Sequence, residues 1–177
     1  MKKIYLFVLL LLLSCHPTTI EPTPESNTIR ITQVEEVKYT INWRSYKEAV
    51  EESKKTQQPL FLFVSSKRCG ICSEMKKSVL NDFYVKRLLS KEYISVLVDD
   101  SKDEIEFFNF LEEHNLNKVP TMIIQTPTGR SLVKTSGGIN ILQLQHFLKL
   151  GLVANKSFEI KKMDEAINSL IKTLTGN

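Results

Sequence analysis

The sequence predicts an α/β protein in which a mixed sheet, with a parallel core and an antiparallel edge, is flanked by helices on both faces. Strand-like and helix-like patterns alternate along most of the 177 residues, as is typical of this fold class. The unbroken apolar run from Leu60 to Val64 indicates a central strand that is covered on both sides. Pro127-Thr128-Gly129 lies between two further strand patterns and predicts the hairpin that forms the antiparallel edge.

The N-terminal residues are typical of an export signal. Lys2 and Lys3 precede an apolar run that ends at Leu13, which suits a signal-peptide core and is too short to cross a bilayer. Leu12-Leu13-Ser14-Cys15 resembles the bacterial lipobox, and this resemblance implies acylation of Cys15 and removal of residues 1–14 as a signal peptide. The alternative is a plain secretory signal with an incidental cysteine.

Residues 15–28 predict a flexible tether between the lipid anchor and a folded domain. They are rich in Pro, Thr, Glu and Ser, which cannot bury a core. We therefore expect a protein of the bacterial cell envelope that is lipid-anchored to a membrane through Cys15 and faces the periplasm. In lipoproteins with this motif an Asp after the cysteine favours the inner membrane, so His16 weakly favours the outer membrane.

The main domain is expected over residues 29–154, and its first half alternates between strand and helix patterns. Residues 29–39 alternate apolar and polar side chains loosely and predict a first strand. Ser45 and Glu48 have the capping-box spacing that opens a helix, which Gln58-Pro59 ends. After the strand Leu60 to Val64, the residues from Cys69 onward favour a helix, and Asn81-Asp82 can cap a second helical piece.

The second half continues with a strand from Tyr93 to Val98. Residues 101–104 repeat the capping-box pattern and open a helix, one side of which is marked by Ile105, Phe108 and Leu111. The hairpin strands are predicted over residues 121–125 and 131–135, and a further helix over about residues 140–150. Residues 155–177 predict an extra amphipathic helix whose apolar face docks on the domain or on a partner, with the domain favoured. Its apolar residues are Met163, Ala166, Ile167, Leu170, Ile171 and Leu174.

Cys69 and Cys72 are the candidate catalytic residues. A short loop leads from the strand Leu60 to Val64 into Cys69 at the start of a helix, where free N–H groups and the helix dipole favour a thiolate. Lys67 and Arg68 add positive charge nearby. Cys72 follows one helical turn later, within the Cα separation of about 4.4–6.8 Å that a disulfide tolerates, and is expected to point inward. Cys69 is then the nucleophile in disulfide exchange and Cys72 resolves the mixed disulfide.

Several other functions compete with disulfide exchange. A purely structural disulfide is disfavoured because so short a loop removes little entropy from the unfolded chain. A metal site needs further soft ligands, and neither His114 nor His146 has a second ligand at metal-site spacing. Removal of Lys2 and Lys3 lowers the formal charge from +4 to +2, which disfavours nucleic acid as a partner. No cofactor is implied.

Over most of residues 43–150 the chain resembles the thioredoxin superfamily, and within it the C-terminal domain of the periplasmic reductase that passes electrons across the inner membrane. The resemblance is carried by Trp43, the strand Leu60 to Val64, Cys69-Gly70-Ile71-Cys72 and Val119-Pro120-Thr121. It implies a thioredoxin-like fold in which the bond before Pro120 is cis and the backbone of Val119 pairs with an extended substrate segment.

Three positions depart from the thioredoxin pattern. Arg68 and Phe63 stand where thioredoxins have a Trp and a buried Asp, and Ile71 replaces the usual Pro and the His of strongly oxidising relatives. Without a nearby imidazole the motif is expected to be less oxidising, which favours a reductase or electron carrier. The expected partners are envelope proteins with disulfides or thiols and an upstream membrane electron donor. A redox-silent binding module and a metallochaperone are the alternatives.

Overall fold

The computed structural model describes residues 38–101 and 103–175. The predicted signal peptide, Cys15 and the tether lie outside these residues. The elements are, in chain order, β1 (Trp43–Arg44), α1 (Tyr46–Thr56), β2 (Leu60–Val64), α2 (Gly70–Glu74), a π-helical turn (Met75–Val79), α3 (Phe83–Glu92), β3 (Ile94–Val98), α4 (Glu104–Glu113), β4 (Thr121–Gln125), β5 (Ser131–Ser136) and α5 (Ile141–Thr175).

The five strands form one mixed sheet in the order β1-β3-β2-β4-β5. The first three strands of this order are parallel, whereas β4 and β5 run antiparallel to their neighbours. The predicted parallel core with an antiparallel edge is therefore confirmed. The strand predicted over residues 29–39 lies almost wholly outside the described residues, and the first described strand is β1.

Side chains of β2 alternate between two apolar layers, one on each face of the sheet. Phe61 and Phe63 belong to the layer that α2, α3 and α5 cover, whereas Leu62 and Val64 belong to the layer that α1 and α4 cover. All five side chains of β2 are buried. The expectation of a central strand flanked by helices on both faces is thus confirmed.

Helix caps follow the sequence prediction at two of three places. Ser45 and Glu48 form the complete capping box of α1, and the Asp82 carboxylate accepts hydrogen bonds at the start of α3. The cap predicted at Ser101 is wrong, because α4 begins two residues later with Asp103 as its cap. The Asp103 carboxylate accepts the N–H of Glu106 at 2.9 Å.

The buried side of α4 also differs from the prediction. Ile105 and Phe108 are 75% and 57% exposed, whereas Phe107 and Phe110 are buried against the sheet. Because apolar residues surround this helix on most sides, their periodicity does not select one face. Contact with the sheet determines that Phe107 and Phe110 form the buried side of α4.

α5 is one continuous helix of 35 residues, so the boundary predicted between residues 154 and 155 falls inside it. Its first part packs through Leu144, Leu148 and Gly151, which are buried. The prediction that the last segment docks on the domain is wrong, since Leu170 and Leu174 are 64% and 84% exposed. No proline or glycine lies between Gly151 and Thr175, and the helix therefore continues past the sheet into solvent. No helix in the described residues combines the length and apolar content needed to cross a membrane.

Candidate active site

Cys69 lies at the junction between the loop after β2 and the first turn of α2. Its backbone is extended, with φ −94° and ψ 103°, and it is the N-cap residue of the helix. The Cys69 sulfur accepts the N–H of Cys72 at 3.1 Å. The two cysteines form a disulfide with a Cα separation of 5.2 Å. The predicted pair is therefore within bonding distance, and the first sulfur receives a backbone hydrogen bond from the helix.

The two sulfurs differ in their access to solvent. Cys72 is fully buried in the apolar layer that contains Phe63 and Met75, whereas Cys69 is only partly buried. Between them Gly70 is exposed and Ile71 is 58% exposed. In the part of the chain that the structure describes, the motif is therefore open to another protein on the side of Cys69 and Ile71.

The loop that contains Pro120 lies at the same end of the sheet. Thr121, the first residue of β4, pairs with Val64, the last residue of β2, and β2 leads directly into the cysteine loop. The peptide bond between Val119 and Pro120 is cis, as the resemblance implies. Val119 is partly buried and contacts both apolar layers, and Pro120 is buried.

The turn after β5 connects this proline loop to the cysteine motif. The Gly137 N–H donates to the Pro120 carbonyl oxygen at 2.8 Å. A Cβ placed on Gly138 would lie 2.7 Å from Cγ2 of Ile71, so the backbone of Gly138 packs directly against that side chain. Two loops distant in sequence thus flank the exposed part of the motif.

Asp100 holds the loop that precedes Cys69, and sequence reasoning missed it. Its side chain is buried and accepts the Ser66 hydroxyl at 2.7 Å and the Lys67 backbone N–H at 2.6 Å. These hydrogen bonds, the Lys67 N–H first among them, hold the pKa of Asp100 below its ordinary value. The Ser66 hydroxyl oxygen in turn accepts the N–H of Arg68 at 3.3 Å, and the Ser66 carbonyl accepts the N–H of Cys69 at 3.1 Å.

A sequence signal for Asp100 did exist. Asp99-Asp100 directly follows the strand pattern that ends at Val98, and parallel neighbouring strands bring their carboxyl ends to one edge of a sheet. That edge is the one from which β2 leads to the cysteines.

The predicted positive charges near Cys69 are both on the surface. The Lys67 ammonium pairs with Glu104 at 2.8 Å, and this hydrogen bond raises the pKa of Lys67. Lys67 is thereby directed towards α4. Arg68 is exposed.

The position of the thioredoxin Asp is occupied by a fully buried Phe63, which pairs with Leu97 of β3. One helical turn after Cys72, Lys76 forms an ion pair with Asp99 at 3.3 Å. Burial raises the pKa of Asp99, but hydrogen bonds from Ser101 and the charge of Lys76 outweigh it and hold the pKa below its ordinary value. Among the described residues, no three His, Cys, Asp or Glu side chains lie together as a metal site requires.

A disulfide at the start of a helix, beside a cis-proline loop on a sheet of this topology, defines a protein of the thioredoxin fold. This is also the cysteine arrangement of thiol-disulfide oxidoreductases. A family model described as a thioredoxin-like domain matches residues 46–151, and the chain belongs to this family.

Known proteins similar to this chain agree with the fold. The thioredoxin of Thermus thermophilus has a TM-score of 0.59 at 19% identity, covering 65% of this chain and 89% of its own. A DsbH oxidoreductase has a TM-score of 0.56 at 20% identity, covering 66% and 85%. The reduced C-terminal domain of DsbD from Neisseria meningitidis has a TM-score of 0.52 at 20% identity, covering 59% and 92%. Likeness at these identities shows the fold alone.

A similar sequence occurs in Archaeoglobus fulgidus, in an uncharacterised protein. It is 27% identical over 62 residues, which are 35% of this chain. The matched segment spans about half of that relative, 49% of its length.

Proposed function

We propose that this protein is a thiol-disulfide oxidoreductase of the bacterial envelope, and that it acts as a reductase or electron carrier towards protein disulfides. The observation that carries the proposal is the asymmetry of the cysteine pair. Cys69 is partly exposed, caps a helix and accepts a backbone N–H, whereas Cys72 is buried. An accessible sulfur stabilised as an anion and a protected second thiol are what disulfide exchange requires.

The reaction proceeds through two displacements. In the reduced protein, the Cys69 thiolate attacks one sulfur of a substrate disulfide, and the other substrate sulfur leaves as a thiolate that takes up a proton. Cys72 then loses its proton and attacks the Cys69 sulfur of the mixed disulfide, which releases the second substrate thiolate. The substrate gains two electrons and the pair becomes the observed Cys69–Cys72 disulfide. A dithiol donor must reduce this disulfide before the next cycle.

The reducing direction is supported by the residues within the motif. Strongly oxidising relatives carry an imidazole that stabilises the reduced thiolate, and here that position is the aliphatic Ile71. Without this stabilisation the disulfide is less readily reduced, so its reduction potential is lower. We expect the potential of the pair to lie nearer to the thioredoxin value of about −270 mV than to the DsbA value of about −120 mV. Equilibration with glutathione or dithiothreitol buffers measures it.

Insulin reduction with dithiothreitol as electron donor tests the activity. Cys69→Ser should abolish catalysis, and Cys72→Ser should accumulate mixed disulfides that non-reducing gels resolve. Ser73→Ala, an exposed change on the same helix, is the matched control and should keep activity. If wild type does not accelerate insulin reduction and Cys72→Ser captures no partner, the proposal is wrong and a redox-silent binding module is favoured. Stoichiometric Cu(I) or Zn(II) retained after dialysis would instead favour a metallochaperone.

We also propose that acylation of Cys15 anchors the protein to the envelope membrane. The support is the lipobox-like sequence Leu12-Leu13-Ser14-Cys15 and the polar tether that follows it. Metabolic labelling with palmitate should mark the wild-type chain and not Cys15→Ser. A labelled Cys15→Ser chain, or an unlabelled wild type, would refute the anchor. The candidate electron donors are membrane proteins of the same envelope that carry a pair of thiols.

A further inference from the structure

The last part of α5 extends beyond the domain. Phe158 is partly buried, and the Arg130 guanidinium lies over its ring at 5.2 Å from the centroid. From Ile160 to Thr175 every residue is exposed. At a rise of about 1.5 Å per residue, this segment extends about 24 Å from the domain. The domain therefore leaves the apolar side chains of this segment uncovered.

The exposed apolar side chains of this segment follow a heptad pattern. Five of the six large apolar side chains from Ile160 onward recur at alternating intervals of three and four residues and are 48% to 84% exposed. The sixth, Ile171, lies beside them at an e position and is 52% exposed. The a positions are Val153, Ile160, Ile167 and Leu174. The d positions in the second and third heptads are Met163 and Leu170, and Lys156 stands at d in the first. We call the six apolar residues at these positions the α5 stripe. β-Branched residues at a with Leu at d favour two-stranded coiled coils.

The α5 stripe lies on the side of the helix that faces away from the domain. Leu144, Gly151 and Phe158 also follow one another at intervals of seven, and they are among the residues through which α5 contacts the domain. They occupy f positions of the same heptads, which lie opposite the a and d positions. A second helix can therefore pack along the stripe without meeting the domain.

The charges on the exposed segment favour a protein helix over a lipid surface as the partner. Residues 160–175 contain Lys161, Lys162 and Lys172 against Asp164 and Glu165. Lys161 and Glu165 form an i,i+4 pair at 4.0 Å on the outer side. Helices that bind membranes carry a Lys- and Arg-rich polar face and often Trp or Phe. Here the polar face is mixed in sign and the segment has no aromatic residue.

We propose that the α5 stripe is the dimerisation seam of this protein, and that a second copy of the chain packs against it as a two-stranded coiled coil. The dimer holds two thioredoxin-like domains, each with its own cysteine pair. This proposal does not depend on the redox function, because no residue of the stripe belongs to the cysteine site.

Sedimentation equilibrium of the purified chain at micromolar concentrations tests the proposal. Wild type should have twice the mass of the chain. Ile167→Asp, which places a charge in the centre of the seam, should raise the dissociation constant about a hundredfold or more. The matched control Asn168→Asp places the same charge one residue away on the outer face and should remain dimeric. Far-ultraviolet circular dichroism and urea unfolding establish that each variant is folded.

A wild-type chain that sediments as a monomer throughout this range would overturn the proposal. Equal dimerisation of Ile167→Asp and wild type would also overturn it, because the seam would then lie elsewhere. A monomer that binds vesicles of anionic phospholipid through the stripe, with Ile167→Asp released from them, would identify the face as a membrane surface instead.

Discussion

Gly137 joins the turn after β5 to the proline loop beside the cysteines, and its substitution tests how that contact is held. Its φ is +93°, a region that favours glycine, and its N–H donates to the Pro120 carbonyl at 2.8 Å. A Cβ at this position would meet no atom within 4 Å, so an alanine introduces backbone strain without a steric clash. Left-handed backbone costs a residue other than glycine about 1–2 kcal/mol. We expect Gly137→Ala to lower the free energy of unfolding by about this amount.

Urea unfolding of the oxidised protein measures the change. With a denaturant slope of about 2 kcal/mol per molar, the midpoint should fall by about 0.5–1 M. Gly137→Asn should lose less, because Asn tolerates positive φ better than Ala does. Gly70→Ala is the matched control, since a Cβ on Gly70 also meets nothing within 4 Å and its φ is not positive. A Gly137→Ala midpoint equal to that of wild type, with Gly70→Ala also unchanged, would refute the strain argument.

Three further predictions concern stability. Leu148→Ala empties a fully buried site under α5 and should cost about 2–5 kcal/mol in urea unfolding, whereas Leu142→Ala on the exposed side of the same helix should change little. Ser45→Ala removes the capping box of α1 and should cost about 0.5–2 kcal/mol; an unchanged midpoint would contradict the cap. Burial holds the pKa of His114 below its ordinary value, so the unfolded chain binds this proton first as the pH falls below about 6.5. The contribution of His114 to stability is therefore present above that pH and is lost as the pH falls below it. Urea midpoints should decline less on acidification in His114→Phe than in wild type, whereas the exposed control His146→Gln should decline as much as wild type.

The parts of the fold that the sequence predicted correctly have local causes. The run Leu60 to Val64 is apolar at every position, which is typical of a short strand buried on both faces. The capping box at Ser45 involves residues three apart. The loop from β2 into Cys69 connects adjacent elements, so the position of Cys69 at the start of a helix follows from the order of two short patterns.

The parts that escaped prediction depend on contacts between distant residues. Asp100 and Ser66 are 34 positions apart, and no local pattern states that the ends of β3 and β2 are neighbours. The buried side of α4 likewise depends on which residues meet the sheet. For α5, periodicity predicted an apolar face correctly, but the direction of the helix beyond Gly151 determines whether the domain covers that face.

The candidate site depends on the register of the sheet more than on the composition of the cysteine loop. Three separate segments meet at one edge of the sheet. The loop after β2 carries Cys69, the loop after β3 carries Asp100, which binds the Lys67 N–H, and the loop before β4 carries Pro120. A one-residue slip in either pairing would reverse the side-chain orientation of a whole strand and move its loop along the edge. Changes at the exposed Lys67 and Arg68 leave these pairings intact. The arrangement around the cysteines should therefore be far more sensitive to substitutions that shift β3 or β4 than to substitutions in the loop itself.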